Sequence, residues 1–114
     1  MVAKLKYHHP GIPTKEKREG EISLPEFKMY FSGYDTSPYK IEWMRYEQDS
    51  PTPELVKTVP HIAFEVDDLY ESLKGKNILI EPNSPSPGVM VAFIVDDDAP
   101  VEFLQIDKSI VENI

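Results

Sequence analysis

Short runs of apolar and aromatic residues, broken by proline, glycine and acidic turns, dominate this chain and read mostly as strands. Tyr7 to Pro13 is one, with Pro10 and Pro13 giving it an edge or terminating character. Phe27 to Phe31 is aromatic-rich, and Gly33, Asp35 and Ser37-Pro38 make the turn after it. Tyr39 to Tyr46 forms the next strand. Residues 47–60 are polar and carry three prolines, the composition of a linker with a helical turn at Glu54-Leu55-Val56. Beyond it Ile62 to Val66 is a strand. Asp67 or Asp68 then caps a helix whose apolar face is Leu69, Tyr70 and Leu73 and whose stop is Gly75. Asn77 to Glu81 is a strand, and Pro82 to Gly88 a proline-rich loop. Val89 to Val95 is apolar throughout, as expected of a strand covered on both faces. Asp96 to Pro100 turns it into a last strand, Val101 to Ile106, followed by a tail.

The second half of the chain thus reads strand, helix, strand, strand, strand. The first half places strands similarly but has almost no helix between them. The resulting organisation is residues 1–49, a linker at 50–59, residues 60–107 and a tail at 108–114.

Length and composition narrow the class. A chain of 114 residues supports one real core, which two halves can share. No run of about 20 apolar residues spans a membrane, and the first residues lack the apolar stretch of a secretory signal. The 12 basic and 20 acidic residues leave a net charge of −8, which argues against nucleic acid and anionic membranes as partners. Cysteine is absent, so disulfides, thiolate metal sites and cysteine nucleophiles are excluded, and a cytoplasmic location fits. The 11 prolines are spread along the chain and flank strands, so they punctuate loops and edges. No glycine-rich phosphate loop and no Ser-His-Asp arrangement is readable.

The two halves match at their ends. His9-Pro10-Gly11-Ile12-Pro13 aligns with His61-Ile62-Ala63-Phe64-Glu65, and Ile41-Glu42-Trp43-Met44-Arg45-Tyr46 with Val101-Glu102-Phe103-Leu104-Gln105-Ile106. From His9 to Glu42 is 33 residues, and from His61 to Glu102 is 41; the shortfall lies where the first half lacks its helix. Alternation puts His9 with Gly11 on one strand face and His61 with Ala63 on the equivalent one, so a small residue leaves room beside each imidazole. Glu42 shares a face with Met44, and Glu102 with Leu104. A pseudo-twofold relation between the halves brings both histidines and both glutamates into one cleft.

At these residues the chain resembles the vicinal oxygen chelate superfamily, which includes lactoylglutathione lyase, methylmalonyl-CoA epimerase, extradiol dioxygenases and drug-resistance proteins. Residues 60–104 resemble its βαβββ module closely; the first half resembles it at both ends. The resemblance implies an α+β fold in which two such modules form a curved mixed sheet around a cleft, the first with a vestigial helix. It implies metal positions at His9, Glu42, His61 and Glu102, with His8 the competitor for the first. His9 is favoured because its spacing to Gly11-Ile12 matches that from His61 to Ala63-Phe64.

Two imidazoles and two carboxylates suit a divalent ion such as Zn, Ni, Mn, Co or Fe. The lyase resemblance suggests Glu42 or Glu102 as a base. The leading expectation is a lyase or isomerase acting on a small oxygenated carbonyl compound or its thiol or thioester adduct. The alternatives are a non-catalytic small-molecule binding protein and an Fe(II) dioxygenase. The thin cover on the first module suggests a homodimer. Among the aromatics, Trp43 points away from Glu42 and is expected to pack; Asp96-Asp97-Asp98 lacks the spaced ligands of a calcium loop and reads as a solvated turn.

Overall fold

Strand alternation carries through the chain and builds a single eight-stranded sheet, in a computed structural model that describes residues 4–111. The strands are β1 (Lys6–Pro13), β2 (Ile22–Leu24), β3 (Met29–Ser32), β4 (Glu42–Tyr46), β5 (His61–Glu65), β6 (Asn77–Ser86), β7 (Val89–Asp96) and β8 (Ala99–Ile106). Two short helices, α1 (Glu54–Thr58) and α2 (Leu69–Leu73), and a 3₁₀ turn at Pro25–Phe27 complete the elements. The strand order is β2-β3-β4-β1-β5-β8-β7-β6. Each half contributes four strands in the same relative order, joined at the antiparallel β1/β5 pair.

The pairing registers carry the internal repeat. In the first half Gly11 lies opposite Glu42 on the parallel β1/β4 pair; in the second Ala63 lies opposite Glu102 on β5/β8. Across the centre His9 faces Ala63 and Gly11 faces His61. Exchanging the halves maps one of these pairs onto the other, so a pseudo-twofold axis passes between Pro10 and Ile62.

One sheet face and one helix make the main core. Leu69 and Leu73 of α2 pack with Val66 against Ala92, Ile94 and Phe103. Asp68 caps α2, its side chain accepting from the Glu71 amide. The opposite face presents Glu42, Met44 and Tyr46 of β4, Val89, Val91 and Phe93 of β7, and Glu102 and Leu104 of β8 to one cavity. Residues of both edge strands, Ile22 and Leu24 on one side and Ile80 and Pro85 on the other, also line it. The α+β sheet therefore curls until its edges flank the cleft, as the sequence resemblance implies.

On the first half, the outer face has a loop where the second half has α2. Residues 14–21 carry Arg18, whose guanidinium lies 3.9 Å from the Trp43 ring centroid, and Glu21, which accepts two 2.8 Å hydrogen bonds from Arg45. Arg45 in turn lies over the Tyr30 ring. Trp43 thus packs on the outer face, opposite Glu42, as alternation requires.

Several elements differ from the sequence expectations. The strand expected from Phe27 starts at Met29, because Lys28 takes a left-handed conformation that ends the 3₁₀ turn. The strand expected from Tyr39 starts at Glu42, after a second left-handed residue at Lys40. β2 was not evident in the sequence, since three residues carry too little alternation to register. The proline-rich segment after Glu81 is strand as far as Ser86. It pairs with β7 alone through repeated register shifts, and an edge strand tolerates the missing proline donors. The 47–60 segment is more than a solvated connector. Ser50, Thr52 and Val56 are buried, and Thr52 and Val56 form part of the cavity wall. The acidic turn behaves as expected: Asp97 and Asp98, both at positive φ, form a two-residue hairpin turn between Asp96 and Ala99.

Candidate metal centre

His9, His61 and Glu102 converge within one chain, and His9 and Glu102 line the cavity. One potential ligand atom from each lies within 4.8 Å of the others, and all three residues are buried. The His61 Nε2 is 3.0 Å from Glu102 Oε1; the His9 Nε2 is 3.5 Å from the same oxygen and 3.9 Å from Glu42 Oε1. Glu42 completes the four residues expected from the sequence. It stands slightly apart from the tight trio and keeps 18% of its side chain exposed, against 10% for Glu102.

The backbone places these groups by simple means. The register puts Glu102 beside Ala63 and Glu42 beside Gly11, while the β1/β5 pair brings the two histidine strands together. The His61 imidazole lies over Gly11, where a Cβ would overlap three of its ring atoms. The room that a small residue makes therefore serves the facing histidine, rather than the histidine two positions earlier on the same strand. Phe93 packs edge-on against the other side of His61, with ring centroids 4.8 Å apart.

A bulge decides between the adjacent histidines. Tyr7 pairs with Phe64 and His9 with Ala63, so His8 is an extra residue in β1. A bulge of this kind turns two consecutive side chains toward one face, and both His8 and His9 line the cavity. His9 takes the inner position at 2% exposure. His8 stacks on Tyr34, and the two Nδ1 atoms of His8 and His9 lie 2.7 Å apart in a hydrogen bond. With His9 as donor in that bond, its Nε2 lone pair faces the carboxylates. This outer hydrogen bond is the usual device for orienting a metal-binding imidazole.

The electrostatics separate the two glutamates. Burial alone raises the Glu102 pKa, but hydrogen bonding and charge from His61 and His9 win and hold it at about 2. Burial likewise dominates at Glu42. There His9 offsets only part of the rise, Glu102 adds to it, and the carboxyl ends above its ordinary value. At His9 burial disfavours the charged form, yet Glu102 and Glu42 together leave its pKa raised. Glu102 is thus a fixed anion, and Glu42 is the carboxylate nearer to accepting a proton.

The donor set fits a divalent ion. Bonds of about 2.0–2.2 Å place ligand atoms roughly 3 Å apart when adjacent and roughly 4 Å apart when opposite, which brackets the three separations around His9 and Glu102. The buried His9 Nε2 is 3.5 Å from Glu102 Oε1 and makes no short hydrogen bond, so it is free to turn to an ion.

The aromatic residues divide between two environments. Phe31 and Tyr34 line the cavity; Tyr30 and Trp43 lie on the outer face beneath arginines; Tyr39 is largely exposed. Sequence reasoning missed Tyr46, which shares the cavity face of β4 with Glu42. Burial and then the charges of Glu102 and Glu42 push its phenol pKa up, so it stays a protonated donor. The period of two along Glu42, Met44 and Tyr46 was the available signal.

No family model matches the chain. Among solved structures it is similar to hypothetical protein BH1468 from Bacillus halodurans C-125. That similarity has a TM-score of 0.72 and 21% identity over 96% of this chain and 99% of the other. At that identity the likeness establishes the fold alone. Among the described residues no helix is long and apolar enough to cross a membrane.

Proposed function

We propose that this protein holds a divalent metal ion through His9, His61, Glu102 and Glu42 and acts as a lyase or isomerase on a small oxygenated carbonyl compound. The observation that carries the reading is the convergence of His9, His61 and Glu102 at ligand spacing, with Glu42 3.9 Å from His9, beside a mostly apolar cavity. A bound ion supplies Lewis-acid chemistry that makes a carbon next to a carbonyl easier to deprotonate. The chain supplies the rest. Glu102 and the histidines balance charge and fix the geometry. Glu42, the carboxylate outside the tight trio, takes the proton from one carbon and returns it to a neighbouring atom. The apolar walls exclude water while the proton is in transit.

The deciding experiment is elemental analysis of tag-free protein beside His61→Ala. About one transition metal per chain, lost in the variant, is the expected result. No metal after reconstitution with Zn, Ni, Mn, Co or Fe overturns the proposal and leaves the cleft as a binding pocket. Once a substrate is in hand, Glu42→Gln is expected to lower kcat by about 10²–10⁴-fold. That variant should still fold and hold the ion, more weakly, through His9, His61 and Glu102. A kcat unchanged in Glu42→Gln excludes the proton-carrier role.

One observation favours a second reading. His9, His61 and Glu102 are the tight trio, and two histidines with one carboxylate is the donor set of non-haem Fe(II) oxygenases. Activity that requires iron and consumes oxygen selects that reading; activity with redox-inert Zn excludes it.

A further inference from the structure

His9, Glu42 and Glu102 line a cavity of about 300 Å³, at the small end of the roughly 300–1,000 Å³ that small-molecule sites occupy. Its remaining walls are mostly apolar, with Leu24, Phe27, Met29, Met44, Val91 and Leu104 among them, and Tyr34, Tyr46, Thr52 and Asn83 add uncharged polar groups. Three acidic residues, Asp35, Glu42 and Glu102, line it, and no lysine or arginine does. The cations in nearby segments lie outside the lining. Lys57 donates to the Ser50 carbonyl, Lys28 pairs with Asp49, and Lys40 lies over Tyr34 with its Nζ 5.1 Å from the ring centroid.

This lining has a chemical consequence. A phosphate, sulfonate or carboxylate entering the cavity loses its hydration and meets no counter-charge, which is costly. Asp35, Glu42 and Glu102 outweigh the +2 of an ion, so away from the ion itself even the loaded cavity offers an anion no counter-charge. An apolar body loses little on entry and gains contact with the walls.

We infer that the cavity selects an uncharged, largely apolar small molecule that presents its oxygens to the metal cluster. This rests on the proposed metal site for the orientation of the ligand, but the charge selectivity follows from the lining itself. Leu24, on the short edge strand β2, lies at the cavity rim and is only partly buried, so a charge can be placed there without disturbing the core.

The test compares two fluorescent probes that share an aromatic body. N-phenyl-1-naphthylamine is neutral, and 8-anilinonaphthalene-1-sulfonate adds one negative charge. Calorimetric titration of the full chain, metal-free and metal-loaded, is expected to show one neutral probe per chain. The neutral probe should bind at least about tenfold more tightly than the anionic one. Leu24→Arg is expected to narrow or reverse that gap while melting like the parent. Equal or tighter binding of the anionic probe to the parent overturns the inference. So does a lack of saturable binding by the neutral probe, or a folded Leu24→Arg whose preference is unchanged. Failure of the metal proposal is read separately, as absence of ion binding, and leaves the probe preference of the metal-free protein intact.

Discussion

Replacing Gly11 with alanine is expected to lower metal affinity by about 100-fold, the upper end for residues that orient ligands rather than provide them. The cause is steric. The new Cβ would occupy the space of the His61 ring, which is 1% exposed and backed by Phe93, so the imidazole has no free direction in which to retreat. Overpacking of this kind also costs about 1–3 kcal/mol of stability. Pairing the change with His61→Ala separates the clash from a general intolerance of alanine in β1. With the ring gone, Gly11→Ala should be close to neutral in a urea melt, because alanine suits a strand better than glycine. Equal cost in both backgrounds, or wild-type metal affinity in the single variant, would show that Gly11 does not shape the site.

The second large effect is on pH-dependent stability of the metal-free protein. Glu102 has a folded pKa of about 2 against an ordinary 4.5, so its contribution is fully present above pH 4.5 and disappears as pH falls through about 2. The size of that shift corresponds to about 3 kcal/mol. His9 works in the other direction. Its pKa is raised above 6.5, so its contribution is complete below that value and fades as pH rises through the folded pKa. The His9–Glu102 attraction is common to both contributions, so they do not simply add. Glu42, raised from 4.5, favours the folded state at low pH and draws the optimum toward the acid side.

The chelated protein is therefore expected to be most stable between pH 4.5 and 6.5. Urea unfolding at intervals across that range and beyond measures it. Glu102→Gln should flatten both limbs, since the shared partner is gone. A wild-type profile without a maximum, or a variant with the same acid limb, refutes the account. Metal should add stability and move the optimum upward, because the ligands bind it deprotonated.

The two predictions draw on different parts of the record in the residues. The strand faces of Glu42, His61 and Glu102, the α2 cap at Asp68 and the outward Trp43 were legible because each depends on local spacing. Strand alternation assigns faces within a few residues, and a cap needs only its own turn. The repeat added the one long-range relation that sequence could provide, since matching halves imply matching places. The paired registers Gly11 with Glu42 and Ala63 with Glu102 fit the alignment residue for residue.

What the tertiary structure alone decided involves contacts between segments far apart in the chain. The bulge at His8 exists only relative to β5, so neither histidine could be placed inward from its own strand. Gly11 clears space for a ring 50 residues away. The segment at 47–60 looks like a linker because its prolines and polar residues are what a linker uses. It becomes a cavity wall because Val56 and Thr52 find apolar surface that the curled sheet leaves uncovered. The glutamates look equivalent in the sequence, yet one lies between two imidazoles and the other beside one. Ionisation depends on burial and on the distance to opposite charge, and both are fixed only when the halves meet.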